Sequence, residues 1–218
     1  KGAVAAAPVT TNPEPNPGPV GSAPAIAGKF ANFELRSDYR TAVAAFYANK
    51  SEALALLKPL AQTGHPRSNT MYASMMARKP ADRAAAYALY RKLENEDPVA
   101  GFCAAAMLYL GNGVMRDKDR GLSEMKKAVD RMIEVAEIDA FAANQVGYYF
   151  DTYIGDIPTA AKYYKMGAER GNATAMANYA WTLSLSDSPV DQRLATSWCQ
   201  RSADMRCAPG MWMMGHLY

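Results

Sequence analysis

The chain has 218 residues, half of them hydrophobic, and its 24 basic and 21 acidic side chains leave a formal net charge of +3. That near-balance, with no clustered basic stripe, excludes the electrostatic footprint of a nucleic-acid binder. No apolar run approaches the roughly 18 to 20 residues of a membrane-spanning helix, and the length is that of one domain or two small ones.

Six of the 13 prolines (Pro8, Pro13, Pro15, Pro17, Pro19 and Pro24) precede residue 30, so residues 1–35 read as a Pro/Ala/Gly-rich extended arm ahead of a body at 36–218. Pro13, Pro15, Pro17 and Pro19 each fix their own φ and push the preceding residue toward extended conformations. The arm is a flexible tether, or a strap whose four alternating prolines contact a partner. The chain starts with Lys1, and Ala3 to Ala7 is too short and weakly apolar for the core of a signal peptide, so a processed or trimmed chain is expected.

In the body, helical spacing with Ala, Leu, Met and Tyr dominates and β-branched residues are scarce. Helices are expected around 39–47, 52–61, 68–77, 81–93, 99–110 and 120–133, then 141–150, 159–169, 173–184, 192–203 and from 208 to the end. The turns between them are short, so neighbours in sequence should pack antiparallel.

The helices repeat. Gly171, Ala175, Tyr179, Ala180 and Leu183 stand at offsets 0, 4, 8, 9 and 12, and the same offsets recur from Gly64, Glu96, Ile138 and Arg206. Residues at offsets 4 and 9 are small, which lets two helices approach closely, and offsets 8 and 12 mostly carry larger apolar groups that fill the groove between them. A unit of this length cannot bury its apolar face alone, so units must stack.

The turn Gly111-Asn112-Gly113-Val114 with Asp117, the run Tyr163-Tyr164-Lys165 with Gly167-Ala168 and Gly171, and weaker copies at Tyr87 to Tyr90 and at Trp198-Cys199 with Ala203 resemble the Sel-1-like repeat. That family is a relative of the tetratricopeptide solenoids. The resemblance covers residues 37 to 218 and implies an all-α fold, a right-handed α/α superhelix of about five hairpin repeats. Extra residues at 132–137 and altered turns at 152–158 and 186–191 depart from the pattern.

Cys199 and Cys207 lie eight apart, about 12 Å along a straight helix, which is beyond disulfide reach unless a turn falls between them. The Cys-x7-Cys spacing is similar to that of the secreted, cysteine-rich branch of the family. There the resemblance implies a disulfide between Cys199 and Cys207 and an oxidising periplasmic or extracellular setting. The alternative is two unpaired thiols in a cytosolic protein. Cys103, among Phe102, Ala104 and Ala105, reads as a core thiol.

No catalytic constellation, metal site or cofactor is expected. His65 and His216 have no second ligand at a metal spacing, and the acidic group Glu134, Glu137 and Asp139 reads as a solvated face rather than a paired-carboxylate site. The function expected is a protein–protein interaction scaffold in a bacterial periplasmic or envelope-spanning assembly such as secretion, pilus, flagellar or exopolysaccharide machinery. A cell-wall-related enzyme or β-lactam or peptidoglycan-fragment binder, and a cytosolic adaptor, are the alternatives. Candidate partner-contact residues are Tyr148, Tyr149 and Trp181 on the concave wall, the prolines of the arm, and Met211, Trp212 and Met214 on a last helix that carries an apolar face. No nucleic acid, membrane span or small-molecule substrate is expected.

Overall fold

The structure, a computed structural model, describes Phe33 and residues 36–217, with the side chains of 216 and 217 outside that description. The arm, including Pro13, Pro15, Pro17 and Pro19, lies outside the described residues. Eleven α-helices follow in order: α1 (Ser37–Tyr47), α2 (Ala53–Gln62), α3 (Pro66–Ala77), α4 (Arg83–Leu93), α5 (Pro98–Leu110), α6 (Lys118–Ile133), α7 (Ala140–Tyr149), α8 (Ile157–Glu169), α9 (Ala173–Ser184), α10 (Pro189–Asp204) and α11 (Ala208–Leu217). The described residues contain no strand. A 3-10 turn at Pro80–Asp82 precedes α4, and one π-helical turn, Phe150–Ile154, extends α7.

The starts of these helices are written in the sequence. Pro66, Pro98, Ile157-Pro158 and Pro189 occupy first-turn positions, where the missing N–H costs nothing. Side chains of His65, Asp97, Asp117, Asp139, Asp156, Asn172 and Ser188 accept from the first free amides. The glycine turn after α5 uses Gly111 and Gly113 at φ of 76° and 75°. At Gly113 a Cβ would also lie 2.6 Å from the carbonyl carbon of Arg83, so only glycine fits there.

Each helix packs chiefly on its sequence neighbours, α5 on α6, α7 on α8 and α9 on α10 foremost. The repeat offsets show why. Ala73, Ala100, Ala105, Ala142, Ala175 and Ala180, at offsets 4 and 9, are wholly buried. On the second helices, Ala86 and Tyr90, Met125 and Val129, Ala160 and Tyr164, and Ala195 and Cys199 fill the facing positions. Backbones approach closely at Gly121 of α6, where a Cβ would sit 2.7 Å from the Tyr109 amide nitrogen and 2.9 Å from the Ala105 oxygen.

The array curls strongly enough that its two ends meet. Phe46 of α1 packs edge-on against Phe141 of α7 with ring centroids 4.9 Å apart, and the Asn49 amide approaches the Cys207 sulfur, 158 residues away, at 4.0 Å. A small rotation per repeat, summed over the stack, produces such curvature. The first helix therefore lies against the inner side of the later units rather than extending the stack away from them.

Candidate functional site

One position of the repeat builds the inner edge. Offset 1 holds His65, Asp97, Asp139, Asn172 and Cys207, and all five are buried at the starts of α3, α5, α7, α9 and α11. Four of them cap their helices: His65 Nδ1 accepts from the Ser68 amide at 3.2 Å, Asp97 from Val99 at 3.0 Å, Asp139 from Phe141 at 2.8 Å, and Asn172 from Ala175 at 3.1 Å. The caps are cross-linked. The Arg67 guanidinium forms ion pairs with Asp97 at 3.1 Å and Asp139 at 2.7 Å, and the Asn172 amide donates to the Ala140 carbonyl at 3.3 Å.

The sequence shows each cap but not this joining of three units by one arginine. Burial disfavours the Arg67 charge, yet the two carboxylates more than offset that and hold its pKa raised. Desolvation, aided by Arg67, pulls His65 down to about 4, so its imidazole is neutral around neutral pH.

Inside this edge lies a cleft of about 330 Å³ walled by α1, α3, α7 and α9. Phe46, Phe141, Asn144 and Asn172 are its buried floor, and Ser74, Arg78, Gln145, Tyr148, Thr174 and Asn178 rise toward its mouth. The Asn178 amide donates to Asn144 Oδ1 at 3.1 Å and holds the two side chains in register. Among the described residues, Arg78 is the one charged residue that lines the cleft, and burial lowers its pKa. Tyr148 stands on this wall.

The other expected contact residues fall differently. Tyr149 is 6% exposed and packs against Phe102, Phe150 and Tyr153, because the side chain next to a cleft-facing residue on a helix turns into the core. Trp181 and Met214 pack against the last core cluster of Ala180, Ala195, Cys199 and Met213. Met213, not singled out in the sequence, is that helix's buried anchor, whereas Met211 and Trp212 are 52% and 65% exposed.

Glu134 and Glu137 are exposed, while Asp139 is a buried cap paired with Arg67. Cys103 is buried, and desolvation pushes its thiol up to about 12. A turn does separate Cys199 from Cys207, since α10 ends at Asp204 and α11 starts at Ala208. The expected bridge is nevertheless absent, and both are free thiols with separate partners. Cys199 donates to the Gly210 carbonyl at 3.3 Å, and Cys207 meets Thr174 Oγ1 at 3.9 Å.

Hairpins joined by a buried line of caps around an inward-facing cleft define an α/α helical-repeat protein. No family model matches the chain. It is similar in fold to the crystal structure of a Sel1 repeat protein from Oxalobacter formigenes, at 21% identity and a TM-score of 0.46, over 86% of this chain and 83% of that one. A protective antigen present in uropathogenic Escherichia coli strains and displaying an SLR fold matches at 18% identity and a TM-score of 0.39, over 84% of this chain and 49% of that one. The repeat itself stands on the register of residues described above.

Proposed function

We propose that the chain is a non-catalytic protein–protein interaction scaffold that engages its partner through the concave side. The observation that carries this reading is the cleft itself: four helices from different hairpins contribute to one concave surface, the arrangement by which helical-repeat stacks present a binding wall. Its lining is polar, with amides and hydroxyls over an aromatic floor, as suits a recognition surface.

The setting we propose is a bacterial periplasmic or envelope-spanning assembly, with the Pro-rich arm strapped onto a neighbouring subunit. Only the Cys-x7-Cys spacing of Cys199 and Cys207 supports this setting, since both thiols are free in the structure. Cell fractionation tests it. The protein should be released with the periplasmic fraction of the native cell, and recovery with the cytosolic fraction contradicts the compartment. Deleting residues 1–29 should weaken assembly while leaving helicity and melting temperature unchanged, and a complex that survives the deletion intact overturns the strap.

A further inference from the structure

Resting on the scaffold reading, we propose that the concave cleft is a receptor for the C-terminal carboxylate of a partner polypeptide, held by Arg78 with the last side chain on the Phe46 and Phe141 rings. Two clefts among the described residues are candidates for this role. The one between the α1–α2 hairpin and the α10–α11 turn, about 680 Å³, is lined by Lys50 and Glu52 and by Asp204 and Arg206. Its charges cancel, and Lys50 already lies 3.9 Å from Glu52. Among the described residues, the α1–α3–α7–α9 cleft has no acidic lining residue and a single cation.

That cation is available. Among the described residues Arg78 has no ion-pair or hydrogen-bond partner, whereas Arg67, Arg91, Arg120 and Arg131 all do. A guanidinium at the mouth of a cleft matches a carboxylate through paired N–H donors. The Asn144–Asn178 bond leaves the Asn144 amide nitrogen as a further donor on the same wall, whereas the Ser74 hydroxyl is engaged with Tyr90. Phe46 and Phe141, at 7% and 5% exposure, close the bottom with apolar surface. A volume of about 330 Å³ admits one or two residues rather than a folded element, which is the size of a chain terminus.

The test uses the full chain and a labelled N-acetylated Gly-Gly-Gly-Phe peptide with a free C-terminus. Its C-terminal amide and N-acetyl-phenylalanine are the controls, and binding is read by side-chain amide and guanidinium NMR signals. The free acid should shift the Asn144, Asn178 and Arg78 signals. The amide should bind about tenfold or more weakly, and the affinity should fall with added salt. Arg78→Gln should lose the same factor, and Arg78→Lys should recover part of it. Arg78 lies at the exposed rim, so circular dichroism should show both variants folded.

Equal binding of acid and amide, full binding by R78Q, or no shift with the free acid overturns the proposal. N-acetyl-phenylalanine binding as tightly as the peptide would make the site one for free acids and overturn the polypeptide assignment. The native complex separates this from the scaffold reading. A partner captured equally by wild type and R78Q removes the carboxylate site alone, whereas a chain that binds the peptide but captures no partner counts against the scaffold.

Discussion

The guanidinium of Arg67, in the first turn of α3, lies 2.7 Å from the carboxylate of Asp139, the cap of α7 two repeats away. The same nitrogen is 3.1 Å from Asp97, and all three residues are buried. Removing one member of such a cluster strands the others in low dielectric. Arg67→Met should therefore cost about 3–5 kcal/mol in urea denaturation. Adding Asp97→Asn and Asp139→Asn should restore much of it, because asparagine caps a helix as well as aspartate does without the stranded charge. A loss under about 1 kcal/mol for R67M would mean that the cluster does not hold the repeats together.

His65 sets the acid limit. Its folded pKa, near 4, is below the 6.5 of an exposed histidine, so the unfolded chain binds more protons between these values. Its contribution is complete above pH 6.5 and is lost as pH falls toward 4, a difference of about 3 kcal/mol. His65→Asn keeps an acceptor for the Ser68 amide and removes the titration. It forfeits the stacking on Phe33, at 4.2 Å, equally at every pH. The stability gap between wild type and H65N should thus shift by about 3 kcal/mol in the variant's favour between pH 7 and pH 4. A constant gap across that range would contradict the neutral buried imidazole.

Gly121→Ala sets two effects against each other. Alanine in a helix interior gains about 0.5–1 kcal/mol over glycine. The new Cβ would sit 2.7 Å and 2.9 Å from backbone atoms of Tyr109 and Ala105, which cannot rotate aside. Overpacking costs about 1–3 kcal/mol, so the steric term wins. Differential scanning calorimetry should show a melting temperature several degrees lower, and an unchanged or higher value would refute the close α5–α6 contact.

Much of the helical architecture was legible because it is local. The small residues at offsets 4 and 9 are buried as the repeat requires, except Gly215 in the last unit, and all eleven helices stand where the periodicity puts them, with ends shifted by a few residues. The row of caps is equally local, since His65, Asp97, Asp139 and Asn172 all stand one residue after the repeat start, yet it is not among the anchors at offsets 0 to 12 that mark the repeat. Arg67 was not legible: its partners lie 30 and 72 residues downstream, and nothing local marks a basic residue that will bridge repeats. The cleft was half legible. Tyr148 follows from the register, but Phe46 and Arg78 depend on the summed curvature that brings α1 against α7, and single-unit periodicity carries no curvature. Tyr149 shows the same limit, because two adjacent tyrosines differ by about 100° around a helix and only one can face inward.

The central claim is that partners are met on the concave side, and site-specific photo-crosslinking in the native cell tests it most directly. A photoreactive residue placed at Gln145 in the cleft should trap a defined partner. The same probe at exposed Lys126 on the outer helix α6 should trap none. Crosslinks from Lys126 with none from Gln145 would place the interface on the opposite face and contradict the account.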